Sequence, residues 1–394
     1  MVKFIHCADL HLDSPFKSRS YLSQSIFEDI QNSTYESFKL IVDTALNEEV
    51  DFLIISGDLF DQENRTLRAE VFLKSQFERL AKEQIFVYVC HGNHDPLSTG
   101  VATQWPNNVS VFSENVETYQ TITKNGEEIY LHGFSYQNDA SYENKVDAYP
   151  SSQGEKGIHI GLLHGTYSKS NTHERYTEFR LEDLKEKLYH YWALGHIHER
   201  QQLSEMPQIH YPGNIQGRHF KELGEKGCLL VEGDDLKLRT QFIPTQFIRF
   251  EEATIQTTQT TKQGLFEEIQ NFKDKVRKYG KSIYKLKVVL KVDNEIPPQD
   301  LMQVEQMISE YEENEHNFVF IEDLTFKYKD EESKSLASEF SSELIDDQQV
   351  FEQAMSDLYL NPKASKYLDN FNDFDRHSLI EQAETLLKSD MRGE

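Results

Sequence analysis

Positive charge is scarce in this 394-residue chain: 41 lysines and arginines stand against 67 aspartates and glutamates, a formal net charge of −26. Non-specific binding to nucleic acid depends on Lys and Arg neutralising phosphates, so the chain as a whole should repel it. Any phosphate-handling role must bring local positive charge, from metal ions or from a partner. Cysteine is scarcer still. Cys7, Cys90 and Cys228 are isolated and odd in number, which points to buried thiols rather than a disulfide framework. No run approaches the length of a membrane span. The opening "MVKFIHCADLHL" lacks the apolar core and small-residue cleavage site of a secretory signal. The expectation is a cytoplasmic protein without membrane contact.

What is present describes a globular chain, 38% hydrophobic and 27% charged, long enough for two or three domains. Up to about residue 200, short apolar runs alternate with helix-period segments, the pattern of an α/β core. The runs are "KFIHCA" (3–8), "FLIIS" (52–56), "IFVYVC" (85–90), "IHIGLL" (158–163) and "YWALG" (191–195). Phe38, Ile41, Val42, Ala45 and Leu46 recur at helical spacing between the first two, as do Ala69, Phe72, Leu73, Phe77 and Leu80 between the next two. Residues 227–243 read as a hairpin turning at Gly233-Asp234 and completing a second sheet. From about Phe247 a β-α-β-α-β pattern suggests a smaller domain, and after residue 335 two amphipathic helices remain.

Five polar clusters sit at the ends of the five runs: "DLH" (9–11), "GDLFD" (57–61), "GNHD" (92–95), "HGT" (164–166) and "GHIH" (195–198). Loops at strand ends are where α/β proteins gather functional groups. Carboxylate, imidazole and amide oxygen suit hard to borderline divalent ions without any thiolate. Each cluster alone is an ordinary turn or a satisfied histidine; all five in order at strand ends are not a coincidence of composition.

On these blocks the sequence resembles the calcineurin-like metallophosphoesterases, and within them the SbcD-type DNA repair nucleases of the YhaO-like bacterial branch. The segment "YPGNIQGRHF" (211–220) resembles the family's Pro-Gly loop. The resemblance implies a four-layer αββα sandwich over residues 1–245, an α/β capping domain over 246–330 and a C-terminal helical partner-binding region over 331–394. It implies two divalent ions, usually manganese: Asp9, His11 and His198 on one, Asn93, His164 and His196 on the other, with Asp58 bridging. Two dications bring +4 and two carboxylates return −2, so the site would attract a phosphodiester even in an acidic protein. Such a pair of ions generates the attacking hydroxide from bound water. His94 is implied as the group at the leaving oxygen. By similarity to phosphatases with a Gly-Asp-x-x-Asp block, Asp61 would fix its tautomer. The archaeal and eukaryotic repair nucleases often carry His there, and this sequence departs from them.

The implied activity is a 3′–5′ DNA exonuclease, with possible single-strand endonuclease action, working in repair. A small-phosphoester phosphodiesterase or phosphatase, or a mainly structural subunit, are the competing readings. The implied partners are DNA, an SbcC-like coiled-coil ATPase docked on the C-terminal helices, and a second copy of the chain. Asp95 reads as a turn cap, and His6 and His91 as satisfied core histidines. Arg65, Arg218 and His219 could hold phosphate or simply bond within loops.

Overall fold

The computed structural model of the chain describes residues 1–14, 22–61, 65–99, 103–138, 144–169, 176–291, 296–310, 312 and 315–328. The C-terminal helices expected after residue 335 lie outside the described residues.

The first strand, β1 (Val2–Cys7), leads through α1 (Gln24–Asn47) to β2 (Phe52–Ser56), and α2 (Leu67–Lys82) leads on to β3 (Phe86–Cys90) and β4 (Val109–Val111). These four strands pair in parallel, β1 with β2, β2 with β3 and β3 with β4. The side-chain period of two decides what each face buries. Ile5, Cys7, Leu53, Ile55, Val87 and Val89 face the helices, packing with Phe38, Ile41, Val42, Leu73 and Phe77. Phe4, Phe52, Ile54 and Tyr88 face the other way. Thr66 caps α2, its hydroxyl accepting from the Ala69 amide at 3.2 Å.

The second sheet takes the next strands: β5 (Glu117–Ile122), β6 (Glu128–Gly133) and β7 (Ile158–His164), then, after α3 (Leu181–Lys185), β8 (Tyr191–Gly195), β9 (Gln201–Glu205) and β10 (Gln208–Tyr211). Its order is β5-β6-β7-β8-β10-β9. Ile160, Leu162, Tyr191 and Ala193 point at the first sheet and share its core, while Leu163, Trp192 and Leu194 pack outward with Leu184 of α3 and Tyr149. The layers are helices, sheet, sheet, then a short helix with its loops, which is the expected αββα sandwich.

The hairpin forms as expected from β11 (Gly227–Gly233) and β12 (Leu238–Pro244), but in the other sheet. It pairs antiparallel with β1, giving the first sheet the order β12-β11-β1-β2-β3-β4. β1 has β2 on only one side, and the hairpin fills its open edge.

The remaining elements are β13 (Ile248–Thr257), α4 (Lys262–Arg277), β14 (Lys281–Leu290), α5 (Pro298–Glu310) and β15 (Val319–Tyr328), with a three-stranded sheet in the order β13-β14-β15. The chain divides into two compact units. Among the described residues, one comprises Met1–Ala253, Ile269–Leu286 and Glu305–Asp323; the other comprises Thr254–Glu268, Lys287–Val304 and Leu324–Tyr328. In the first, Ile248, Phe250, Ile283 and Phe318 close a core with Ile26 and Ile30 of α1.

Candidate metal centre

β1, β2 and β3 of one sheet and β7 and β8 of the other all end at one place, and their terminal loops are stitched together. The Asp9 amide donates to Gly57 O and the His11 amide to Asp58 O, both at 3.1 Å, so the loops after β1 and β2 extend the ladder. The His196 amide donates to the Asp9 carboxylate at 3.0 and 3.2 Å, tying the loop after β8 to the first. The His94 amide donates to Asp58 Oδ1 at 3.0 Å.

All seven expected ligands, Asp9, His11, Asp58, Asn93, His164, His196 and His198, meet here. Ligand atoms of Asp9, His11 and His198 lie within 4.8 Å of one another, and so do those of Asp9, Asp58 and His164. Asp58 Oδ2 stands 3.7 Å from His11 Nε2 and 3.4 Å from His164 Nε2, between the two groups. Asn93 Oδ1 lies 3.0 Å from His164 Nε2 and 3.2 Å from His196 Nδ1.

Four of the seven hold positive φ: Asp9 at 53°, His11 at 42°, Asp58 at 52° and His196 at 100°. Non-glycine residues rarely stay in this region, and each such position costs of the order of 1–3 kcal/mol that the surrounding fold must offset. Gly57, at φ 95°, makes the turn that delivers Asp58. Part of the chain's backbone strain thus falls on the donors themselves.

The donor set fits divalent ions. His164 Nδ1 bonds Ser56 O at 2.9 Å, so it carries the proton and leaves Nε2 as an acceptor. In that tautomer Nε2 faces Asn93 Oδ1 at 3.0 Å, a contact closed by a proton on Nε2 or by a metal ion in its place. A proton can serve: burial would lower the His164 imidazole, but the Asp58 and Asp9 carboxylates outweigh it and push it up to about 9. Asp58 is held well below the carboxylate range although burial opposes this, with His164 and His11 supplying the attraction. Burial raises Asp9. His11 Nδ1 is buried without a partner among the described residues, and its Nε2 faces His198 Nε2 at 3.1 Å. Nitrogens and carboxylates this crowded are arranged for ions that replace the protons.

The model of the calcineurin-like phosphoesterase family matches residues 2–212. The chain belongs to the calcineurin-like metallophosphoesterases. Membership makes it a hydrolase of phosphoesters, of a family whose site is dinuclear. "Uncharacterized metallophosphoesterase YhaO" of Bacillus subtilis is 37% identical over 99% of this chain and 98% of its own. Further relatives bear the name "DNA double-strand break repair protein Mre11". That of Methanocaldococcus jannaschii is 26% identical over 50% of this chain and 51% of its own, and that of Sulfurisphaera tokodaii 25% over 62% and 65%. No helix among the described residues is long and apolar enough to cross a membrane.

Around this metallophosphoesterase centre the supporting residues sort themselves. His94 stands edge-on to His11, ring centroids 4.9 Å apart, with its Nδ1 buried and without a partner among the described residues. Asp61, expected to orient it, instead accepts from Ser14 Oγ at 3.0 Å and lies 3.6 Å from Arg218 Nη1. The physical reason is the guanidinium of Arg218, which draws that carboxylate to itself. Asp95 accepts from the Leu59 and Gly92 amides and pairs with His91 at 3.0 Å, pinning the loop after β3 to the loop after β2. His6 is bonded to Tyr191 and Leu194 O, and burial lowers it to about 3. Arg65 is tied to Glu70 and Thr103. Sequence reasoning missed Glu222, which reaches His198 from 24 residues away. Its only signal is the i, i+4 spacing from Arg218.

Proposed function

We propose that this metallophosphoesterase cleaves DNA phosphodiester bonds as a 3′–5′ exonuclease in repair, with Mn2+ as its metal. The observation that carries the reading is the convergence of seven ligand residues from five strand ends, with His164 Nε2 3.0 Å from Asn93 Oδ1 and 3.4 Å from Asp58 Oδ2. It is supported by the relatives named as double-strand break repair proteins. Two divalent ions there would supply positive charge for the phosphoryl oxygens and lower the pKa of water at the site.

The chain's own residues do the rest. Asp9 and Asp58 cancel only part of the ions' charge, which leaves the site attractive to a phosphodiester despite the net −26. His94, half-exposed beside the donors and anchored through its amide to Asp58, gives a proton or a hydrogen bond to the leaving oxygen. Residues 331–394 dock an SbcC-type coiled-coil ATPase, which contributes the basic DNA-tracking surface that this acidic chain lacks. A second copy of the chain completes the assembly.

A 5′-labelled duplex oligonucleotide incubated with Mn2+ tests the reading. Stepwise shortening from the 3′ end is the expected result, abolished in Asp58→Ala and His94→Ala. Turnover of bis-p-nitrophenyl phosphate with an intact duplex would replace it by a small-phosphoester activity.

A further inference from the structure

Glu222 is 5% exposed, yet no ion in the chosen ligand set needs it. Its Oε1 lies 2.7 Å from His198 Nδ1, on the side of the ring away from Nε2, which faces His11. The carboxylate is therefore aimed at the back of a ligand and not at the centre. Arg218 holds it from the other side, Nη2 donating to Oε1 at 3.0 Å and the Arg218 amide to Oε2 at 2.8 Å. The same guanidinium donates from Nη1 to Ser14 Oγ at 2.9 Å and pairs with Asp61. Arg218 Nη2 is also 3.3 Å from His198 Nδ1. The carboxylate is closer and charge-assisted, so Nδ1 carries the proton and donates to Glu222. That leaves Nε2 as the lone pair.

We propose that Glu222 is a positioning residue that fixes the tautomer and orientation of His198 for metal, with Arg218 as the strut that holds Glu222. The inference rests on the reading of Asp9, His11 and His198 as the ligands of one ion. Arg218 has both its faces occupied by carboxylates and the Ser14 hydroxyl, so it is spent on this support rather than on substrate phosphate. Ser14 and Asp61, from the loops after β1 and β2, anchor the strut to the segments that deliver the other ligands. Support of this kind is worth about 10- to 100-fold in metal affinity.

Mn2+ titration calorimetry on the full chain, stripped of metal, tests it. The wild type should bind two ions. Glu222→Gln, which keeps the shape and an acceptor oxygen but loses the charge, should weaken one of them, and Glu222→Ala should weaken the same one by about 10- to 100-fold, leaving the other unchanged. A merely structural carboxylate would lower the melting temperature without that selectivity. The decisive arm is the double mutant: with His198→Ala already present, Glu222→Gln should cause no further loss of affinity. Equal affinities in wild type, Glu222→Gln and Glu222→Ala overturn the inference while two bound ions leave the site reading intact. A wild type that binds no ion overturns both. Glu222→Gln also keeps the test decisive if Glu222→Ala does not fold.

Discussion

His164 Nε2 stands 3.0 Å from Asn93 Oδ1 while its Nδ1 is committed to Ser56 O. The pair joins the end of β7 to the loop after β3, so it ties one sheet to the other. A proton on Nε2 closes the contact, and a metal ion binding there would take the proton's place.

The first prediction is that Mn2+ stabilises the fold. An ion that binds only the native state adds about 2.7 kcal/mol at a hundredfold excess over its dissociation constant. For a domain of this size, that corresponds to roughly 5–10 °C in melting temperature. Differential scanning calorimetry of the chelated chain, with and without Mn2+, reads it directly. Asn93→Ala should remove much of the shift, and a wild type whose melting point ignores Mn2+ would contradict the reading of the site.

Much of this centre was legible beforehand, because its physics is local. Parallel strands buried on both faces leave near-continuous apolar runs such as "FLIIS", and the polar letters after each run have nowhere to go but the strand-end cleft. The supporting contacts were not legible. Whether Asp61 meets His94 or Arg218 depends on where residues 157 positions further along the chain fold back, and no spacing rule encodes that. The strand "ETYQTI" (117–122) alternates between half-buried and exposed positions and carries little apolar signal, so the edge of the second sheet went unread. The hairpin was read correctly as a hairpin, but its own residues do not say which sheet has an open edge.

A second prediction concerns Glu312. It is buried, with Lys273 Nζ at 2.8 Å and Arg277 Nη2 at 2.7 Å, and it also accepts from the Val319 amide at 2.7 Å. Burial alone would raise its carboxyl, but Arg277 and Lys273 more than offset this and hold it below its ordinary value of 4.5. Glu312→Ala leaves Lys273 buried without its anion and should cost about 3–5 kcal/mol, whereas Lys273→Met combined with Glu312→Leu should cost much less. Because the folded carboxyl is depressed, its contribution is present above about pH 4.5 and is lost as pH falls further. Urea unfolding of the wild type and the two variants at pH 7 decides; equal losses in the single and double variants would refute the argument.

A third prediction uses histidines remote from the ligands. Burial lowers His6 and His132 to about 3 and His210 to about 4, from 6.5. The native state keeps them neutral while the unfolded chain takes up protons first. Their contribution is therefore complete above pH 6.5 and is lost as pH falls from there towards 3–4, a window that opens above that of Glu312. Each group contributes at most about 1.4 kcal/mol per pH unit. His132 bonds Thr118 Oγ1 at 2.8 Å and His159 Nδ1 at 3.0 Å, and Gln can make similar bonds without titrating. Melting temperatures between pH 7 and 5 should therefore fall less steeply in His132→Gln than in the wild type. Parallel slopes would remove His132 from the account.

The last prediction returns to the loop that carries Asn93 and His94. A Cβ added at Gly92 would stand 2.2 Å from Asp58 Oδ1 and 2.6 Å from His164 Nε2, both far inside contact distance. Neither neighbour is a flexible chain end. Asp58 is fixed by the His94 amide and His164 by Ser56 O, so relief must come from moving a ligand or the backbone. Gly92→Ala should therefore do more damage to the centre than to the fold. Overpacking of this kind costs roughly 1–3 kcal/mol of stability, while misplacing reacting groups by about 1 Å costs on the order of a hundredfold in rate. The check is Mn2+ affinity and phosphodiester hydrolysis measured beside the urea midpoint. A variant that keeps wild-type metal binding and rate would show that the methyl group is accommodated elsewhere, and that Gly92 is there only to turn the chain.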